Sequence, residues 1–392
     1  MKKVRGRAQG LGQGVKTGVK PEGNPGGNPG ENSGAGNELR GKENGRPGKG
    51  KEMRTPEDGR PASAGFEVRT DLAVEERESF PGDGGEIPGV SLREWTEEGS
   101  QVALTEVKIL NEQGARAMGK PKGTYLTLEA DKLASRDGDD QDLVAEELAR
   151  QIRKLAFPEG PSGTAAGLFF GKKTPIKILA VGLGNQLVTP DALGPKVVGS
   201  LQMTRHLDGQ YGEGFCEERG LPLLSGIVPG VMAQTGMETA EILKGIIRET
   251  KPDLLIAIDA LAARSIRRLG TTIQLTDTGI HPGSGVGNHR HSLTRESLGI
   301  PVLAIGVPTV VGAAAIVHDT IGAMIRALET SQATKGMGEM VRDMTPEEQY
   351  SLIRELLEPE FGSLYVTPPD IDETIERLGD TISQGIHMAF FP

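Results

Sequence analysis

The hydrophobic pattern changes character twice along the chain. Residues 1–65 contain almost no apolar run: 16 of the first sixty residues are Gly, and Glu22-Gly-Asn-Pro-Gly-Gly-Asn-Pro-Gly30 is an imperfect short repeat. Such a segment buries too little apolar surface to offset the entropy of ordering it, which predicts a disordered extension. Order is expected from Phe66, with Val68–Glu75 opening the globular region. Gln101–Leu110 and Gly123–Leu128 alternate as strands, and the turn-forming residues Asn111–Gly114 between them predict a β-hairpin. Leu143, Leu148, Ile152 and Leu155 have helical spacing over Asp142–Leu155.

From Ile176 onward, short unbroken apolar runs alternate with helical stretches. Ile176–Gly182, Leu254–Ile258, Thr271–Leu275 and Val302–Ile305 read as buried strands. Pro190–Leu207, Glu238–Glu249, Pro308–Leu328, Thr345–Leu357 and the stretch from Asp370 through Leu378 read as helices. Strands alternating with helices predict an α/β fold, a mostly parallel sheet flanked by helices, to which the hairpin adds an antiparallel element.

Charge separates the same regions. The chain of 392 residues has 44 basic and 54 acidic residues, and the first sixty hold 13 and 7 of these, leaving 31 and 47 for the rest. The folded part is acidic and would repel a nucleic acid, and four Tyr and one Trp give few surfaces for stacking bases. The one cysteine, Cys216, allows no intrachain disulfide, and its neighbours Glu217 and Glu218 predict a raised thiol pKa and an inert thiol. No apolar run reaches the length of a membrane span, and no apolar stretch follows the basic N-terminus, so a cytoplasmic protein is expected.

Three segments carry candidate chemistry. Val181–Gly194 follows a strand and precedes a helix, where open α/β sheets place ligands. Gly182 and Gly184 begin a dinucleotide fingerprint, but position 187 is Leu and no P-loop Lys follows. What remains is a loop presenting Asp191, either as a helix-start carboxylate or as a functional one. In Ile256–Ser265, Asp259 ends an otherwise apolar strand; a carboxylate there needs an ion-pair partner, for which Arg264, Arg267 and Arg268 are available, or a function. Two carboxylates facing each other across a cleft have separated pKa values and can serve as base and acid toward a water. The third segment, Asp277–Arg290, holds Asp277, a flexible glycine run at Gly283, Gly285 and Gly287, and the histidines His281 and His289. With His291 these could bind metal, but no H-E-x-x-H spacing is present, and neither a metal nor another cofactor is expected.

Taken together, VRTDLAVEE (68–76), GLGN with TPDALGP (182–195), GIVPGVMAQTGMET (226–239), IDALAARS (258–265), DTGI with PGSGVGN (277–288) and GIPVLAIGVPTVV (299–311) resemble the germination protease family of spore-forming bacteria. The matches occur in order over residues 66–392; the extension 1–65 departs from the family pattern. The resemblance implies a fold similar to hydrogenase-maturation endopeptidases and a homotetramer in the forespore or spore core. It also implies an atypical aspartic endopeptidase that degrades small acid-soluble spore proteins and is made as an inactive precursor. The family's two functional aspartates correspond to Asp191 and Asp259. Family substrates are cut after an acidic residue and before an apolar residue, Ala, a variable residue and Glu. Asp71-Leu72-Ala73-Val74-Glu75 has that form, so residues 66–71 are expected to end a propeptide, with self-processing between Asp71 and Leu72 and a protease domain over 72–392. The Gly279–Asn288 loop, with Gly283, Ser284, Gly285 and Asn288, is expected to shape the cleft or bind extended substrate. Two rival readings are a metal-dependent maturation endopeptidase on the same fold and a non-catalytic module that binds spore proteins. A nucleotide-binding enzyme fits least, because both glycine fingerprints fail.

Overall fold

Apolar residues at successive positions of the central strands supply two different cores. In the computed structural model, which describes residues 70–78, 80, 87–134, 138–157, 175–281, 291–330, 355 and 364–392, Ile178, Ala180, Ile256 and Ile258 face one apolar cluster. Their chain neighbours Leu179, Val181, Leu255 and Ala257 face another. A strand that alternates between two apolar faces must be covered on both, which is why these runs read as unbroken. The first cluster is closed by the helices Gly138–Ala156, Leu193–Ser200 and Ile371–Phe390, and the second by the helix Thr239–Thr250.

The described residues form one nine-stranded sheet. In chain order its strands are β1 (Val90–Thr96), β2 (Ala103–Ile109), β3 (Gly123–Glu129), β4 (Lys177–Gly182), β5 (Leu223–Ile227), β6 (Leu254–Ala263), β7 (Thr272–Thr276), β8 (Val302–Gly312) and β9 (Tyr365–Val366). The spatial order is β1-β2-β3-β7-β8-β6-β4-β5, with β9 added to the end of β8. The strands β5, β4, β6 and β8 are parallel, whereas β1, β2, β3 and β7 form an antiparallel half joined to β8. The architecture is the expected α/β class, and its sheet is mixed.

Several expected boundaries move. β2 and β3 pair antiparallel, but no hairpin turn joins them: Asn111 caps the helix Glu112–Met118 by accepting from the backbone N–H groups of Gln113 and Gly114. An Asx residue that starts a turn and one that caps a helix use the same bond, so the sequence signal is shared. The segment that opens the globular region forms a helix over Ala73–Glu78. The helix expected over Pro190–Leu207 is broken into a 3-10 turn at Thr189–Asp191 and the helices Leu193–Ser200 and Arg205–Tyr211. Pro308 does not open a helix; it lies inside β8, and the helix begins at Ala313. The register of β6 against β8 shifts there, with Leu261 opposite Pro308 and Ala262 opposite Val310, a bulge that tolerates the missing proline N–H. The expected extension 1–65, residues 66–69 of the propeptide end and, apart from Glu355, the Thr345–Leu357 helix lie outside the described residues.

Candidate active site

A step in strand length makes the site. β4 ends at Gly182, paired with Ile258, while β6 and β8 continue side by side to Ala263 and Gly312. Asp259 is the first β6 residue beyond that step. It is not the strand-end carboxylate expected from the Leu254–Ile258 run: it is 6% exposed inside a ten-residue strand. One Asp259 carboxylate oxygen accepts the Ala260 N–H at 2.9 Å. Alternation puts Asp259 on the sheet face of Leu255 and Ala257 on one side and Leu261 on the other.

Where β4 stops, the chain folds back to present Asp191. The approach is so close that a Cβ on Gly194 would lie 2.4 Å from the Leu183 carbonyl oxygen and 2.5 Å from that of Ile258. Gly184 has φ +106°, and a Cβ there would sit 2.0 Å from the Asp191 carbonyl oxygen. A Cβ on Gly182 would in turn lie 2.3 Å from the Gly194 carbonyl oxygen, so close packing, not phosphate binding, explains both glycines that begin a nucleotide fingerprint. The second Asp191 carboxylate oxygen accepts the Asn185 N–H at 2.8 Å, and the Asn185 side chain accepts from Gln234 at 3.0 Å, tying this loop to the one after β5.

Asp191 and Asp259 line one cleft of about 370 Å³, together with Gly184, Pro190, Gly230, Val231, Thr239, Thr309, Val310, Tyr365 and Thr367. Asp71 lines it as well. Of the six sequence segments singled out above, five therefore converge on one cavity.

The segment after Asp71 is held position by position. The Asp71 N–H donates to the Ala262 carbonyl at 3.0 Å and its carboxylate accepts the Ala262 N–H at 2.9 Å, so it docks on the same strand that carries Asp259. Leu72 is fully buried against Leu261, Ala263, Val311 and Ala315. Ala73 is fully buried among Ile109, Met118 and Tyr125, which leaves little space for a larger side chain. The Glu75 carboxylate, 1% exposed, accepts the N–H groups of Arg264 at 2.7 Å and Ser265 at 2.9 Å, the Thr70 hydroxyl, and a 3.5 Å contact from Arg268. Arg268 also pairs with Glu78 at 2.5 Å and with Glu129, so this candidate partner for Asp259 is committed to three glutamates. Burial holds the Glu78 carboxyl above its usual range, with Arg268 acting in the opposite sense.

The germination protease family model matches residues 67–337 of this chain. The chain belongs to the germination protease family. The germination protease of Caldanaerobacter subterraneus subsp. tengcongensis is 48% identical over 326 residues, covering 83% of this chain and 94% of the relative. That of Clostridium tetani is 42% identical (83% and 96% covered), and that of Priestia megaterium 38% identical (83% and 94% covered). Membership makes the protein a protease with a role in spore germination.

The remaining candidates separate. Asp277 accepts the Thr124 N–H at 2.8 Å and fastens β3 to the end of β7, a structural task away from the cleft lining. Gly283, Ser284, Gly285, Asn288 and His289 lie outside the described residues. Among the described residues no three His, Cys, Asp or Glu side chains are grouped as metal ligands, and no helix is long and apolar enough to cross a membrane. Cys216 is buried and its thiol is pushed up to about 11, first by desolvation and then by Asp208, where the sequence pointed to Glu217 and Glu218.

Two residues with no motif to announce them also meet this segment. The Lys120 ammonium donates to the Asp71 carbonyl at 3.1 Å, and the Gln274 side-chain amide donates to the same oxygen at 3.2 Å. They stand 49 and 203 residues from Asp71 in the chain, and no local sequence pattern marks either of them.

Proposed function

We propose that the protein is an endopeptidase that starts the breakdown of small acid-soluble spore proteins, and that it is made as a precursor which cuts itself between Asp71 and Leu72. The observation that carries this reading is that Asp71 lines the same cleft as Asp191 and Asp259, with Leu72 packed beside it on β6. A chain whose own segment has the form expected of its substrates, docked against two carboxylates, fits a zymogen poised for hydrolysis.

Asp191 and Asp259 act as the pair. One carboxylate takes a proton from a water, whose oxygen adds to the Asp71 carbonyl carbon. The other, protonated, gives its proton to the Leu72 nitrogen as the C–N bond breaks, leaving an Asp71 carboxylate and a Leu72 amine. Two carboxyl groups in one cleft resist ionising together, which provides one base and one acid at the same pH. The anchors on Leu72, Ala73 and Glu75 account for a preference for an apolar residue, Ala, any residue and Glu after the cut. A spore protein would occupy the same subsites once the segment has moved aside. Assembly as a homotetramer within the spore core belongs to the same reading and rests on the family resemblance.

The test is to incubate the full chain with a small acid-soluble spore protein and map the fragments of both by mass spectrometry. The expected result is cleavage after Asp or Glu and before an apolar-Ala-x-Glu sequence in both proteins, absent from Asp191→Asn and Asp259→Asn. An intact spore protein held in a stable complex by a folded chain would instead identify a binding module.

A further inference from the structure

The carbonyl of Asp71 is gripped in a way that ordinary anchoring of the segment does not require. Its oxygen receives two side-chain donors, Lys120 from the turn before β3 at 3.1 Å and Gln274 from the neighbouring strand β7 at 3.2 Å. The same Gln274 amide turns its oxygen to the Ala73 N–H at 2.8 Å. Because a backbone N–H can only donate and a backbone carbonyl can only accept, these two partners fix which end of the amide faces which group. One side chain thus spans the Asp71–Leu72 bond, gripping the carbonyl before it and the N–H two residues on.

Both donors are set by rigid surroundings. Gln274 is buried, 7% exposed, in the middle of β7 between β3 and β8. Lys120 follows Gly119, whose left-handed φ of 60° ends the helix Glu112–Met118. It precedes Pro121, whose carbonyl accepts the Tyr125 hydroxyl at 3.0 Å. Lys120, Asp71 and His281 share one electrostatic neighbourhood: the His281 imidazole is held below its usual value by desolvation and then by Lys120, while Asp71 acts the other way.

Addition of water to a peptide carbonyl moves the π electron pair onto oxygen, and the rate follows how well the surroundings receive that charge. We propose that Lys120 and Gln274 are catalytic residues for the reaction above: they receive the oxyanion that forms on the Asp71 carbonyl oxygen during self-cleavage. Neither belongs to the segment that leaves, so both remain to receive the carbonyl of the acidic residue in a substrate cut in trans. The proton transfers stay with the two aspartates. The negative charge returns to the C=O bond when the Leu72 nitrogen departs, so the step needs no further reactant. This assignment rests on the self-cleavage reading and adds to it the groups that stabilise the intermediate.

The experiment is an intact-mass time course of self-cleavage in the full chain, with hydrogen exchange of residues 70–78 measured on the same samples. Lys120→Met and Gln274→Glu are each expected to slow the cut at Asp71–Leu72 by about 10²- to 10³-fold, the usual cost of losing one oxyanion donor. Lys120→Arg is expected to recover part of the rate. Exchange protection of residues 70–78 should stay close to that of the parent chain, since the anchors on Asp71 and Glu75 remain. Cleavage of Lys120→Met and Gln274→Glu within about threefold of the parent rate would overturn the proposal, because no transition-state contact was lost. A rate loss matched by an equal loss of protection would also overturn it, reducing both residues to anchors. If Asp191→Asn cuts at the parent rate, or the parent chain cuts elsewhere, the underlying self-cleavage reading fails and takes this proposal with it.

Discussion

The two halves of the sheet differ in how their strands end. In the antiparallel half, β1, β2 and β3 are each seven residues long and pair in full register, so their edges are flush, and the five-residue β7 joins them to β8. In the parallel half, six-residue β4 stops at Gly182 while β6 and β8 run on for ten and eleven residues. The mismatch leaves a ledge, and the ledge holds Asp259, the returning Asp191 loop and the docked Asp71. Unequal strand lengths thus make the cavity that Asp71, Asp191 and Asp259 share. The matched half contributes through single side chains that reach across, Lys120 and Gln274.

Filling the ledge is expected to have the largest effect. Gly184→Ala puts a Cβ 2.0 Å from the Asp191 carbonyl oxygen at a residue with φ +106°. A displacement of the loop by the order of 1 Å is expected to cost about 10²-fold in self-cleavage, read by mass spectrometry. The left-handed backbone adds strain of roughly 1–3 kcal/mol, read as a lower melting temperature. An alanine variant with parent rate and stability would show that the ledge does not position Asp191.

A smaller effect is expected at the far end of the docked segment. Glu75→Ala leaves Arg268 with Glu78 and Glu129 but strips the N–H groups of Arg264 and Ser265 of their acceptor. Breaking a buried pair costs about 3–5 kcal/mol; here the remaining glutamates point to the lower end. The loss should appear as faster hydrogen exchange at residues 70–78 and as slower self-cleavage, with the sheet itself still folded. Unchanged exchange would mean that Leu72 and Asp71 suffice to dock the segment.

The smallest effect lies away from the ledge, at the helix that closes the first core. The His387 Nε2 accepts the Gln202 N–H at 2.9 Å, and burial holds its imidazole below the usual 6.5. The folded chain therefore binds this proton less readily than the unfolded chain. The stability gained is present above pH about 6.5 and is lost as the pH falls toward the lower folded value. His387→Gln keeps an acceptor without a titration in that range, so its melting temperature should fall less steeply between pH 7 and pH 5. Parallel slopes for the two chains would remove His387 from the pH response.

The same contrast separates what the sequence could reveal from what it could not. The buried strands of the parallel half were readable because both faces of each are apolar, and their order with the helices predicted the α/β class. Asp191 and Asp259 stand out as candidates in the sequence because carboxylates in apolar runs and glycine loops are costly without a use, and the fold brings both to one cleft. The extension of β6 past Asp259 was hidden because a charge and an Ala-rich tail look like an ending. Pro308 was misleading because proline followed by an Ala-rich run has the signature of a helix start, whereas a bulge opposite Leu261 absorbs it in a strand. Asn111 served a helix cap with the bond expected of a turn. Lys120 and Gln274 gave no signal because their meaning depends on which carbonyl the fold brings to them.

The proposed hydrolysis of the bond after Asp71 by Asp191 and Asp259 decides the rest. It is tested most directly by following the intact mass of the full chain beside its Asp191→Asn and Asp259→Asn variants. The parent chain is expected to lose residues 1–71 to give a new N-terminus at Leu72, and both variants to keep their full mass with a folded sheet. Release of the same 71-residue fragment by either variant at the parent rate would contradict it.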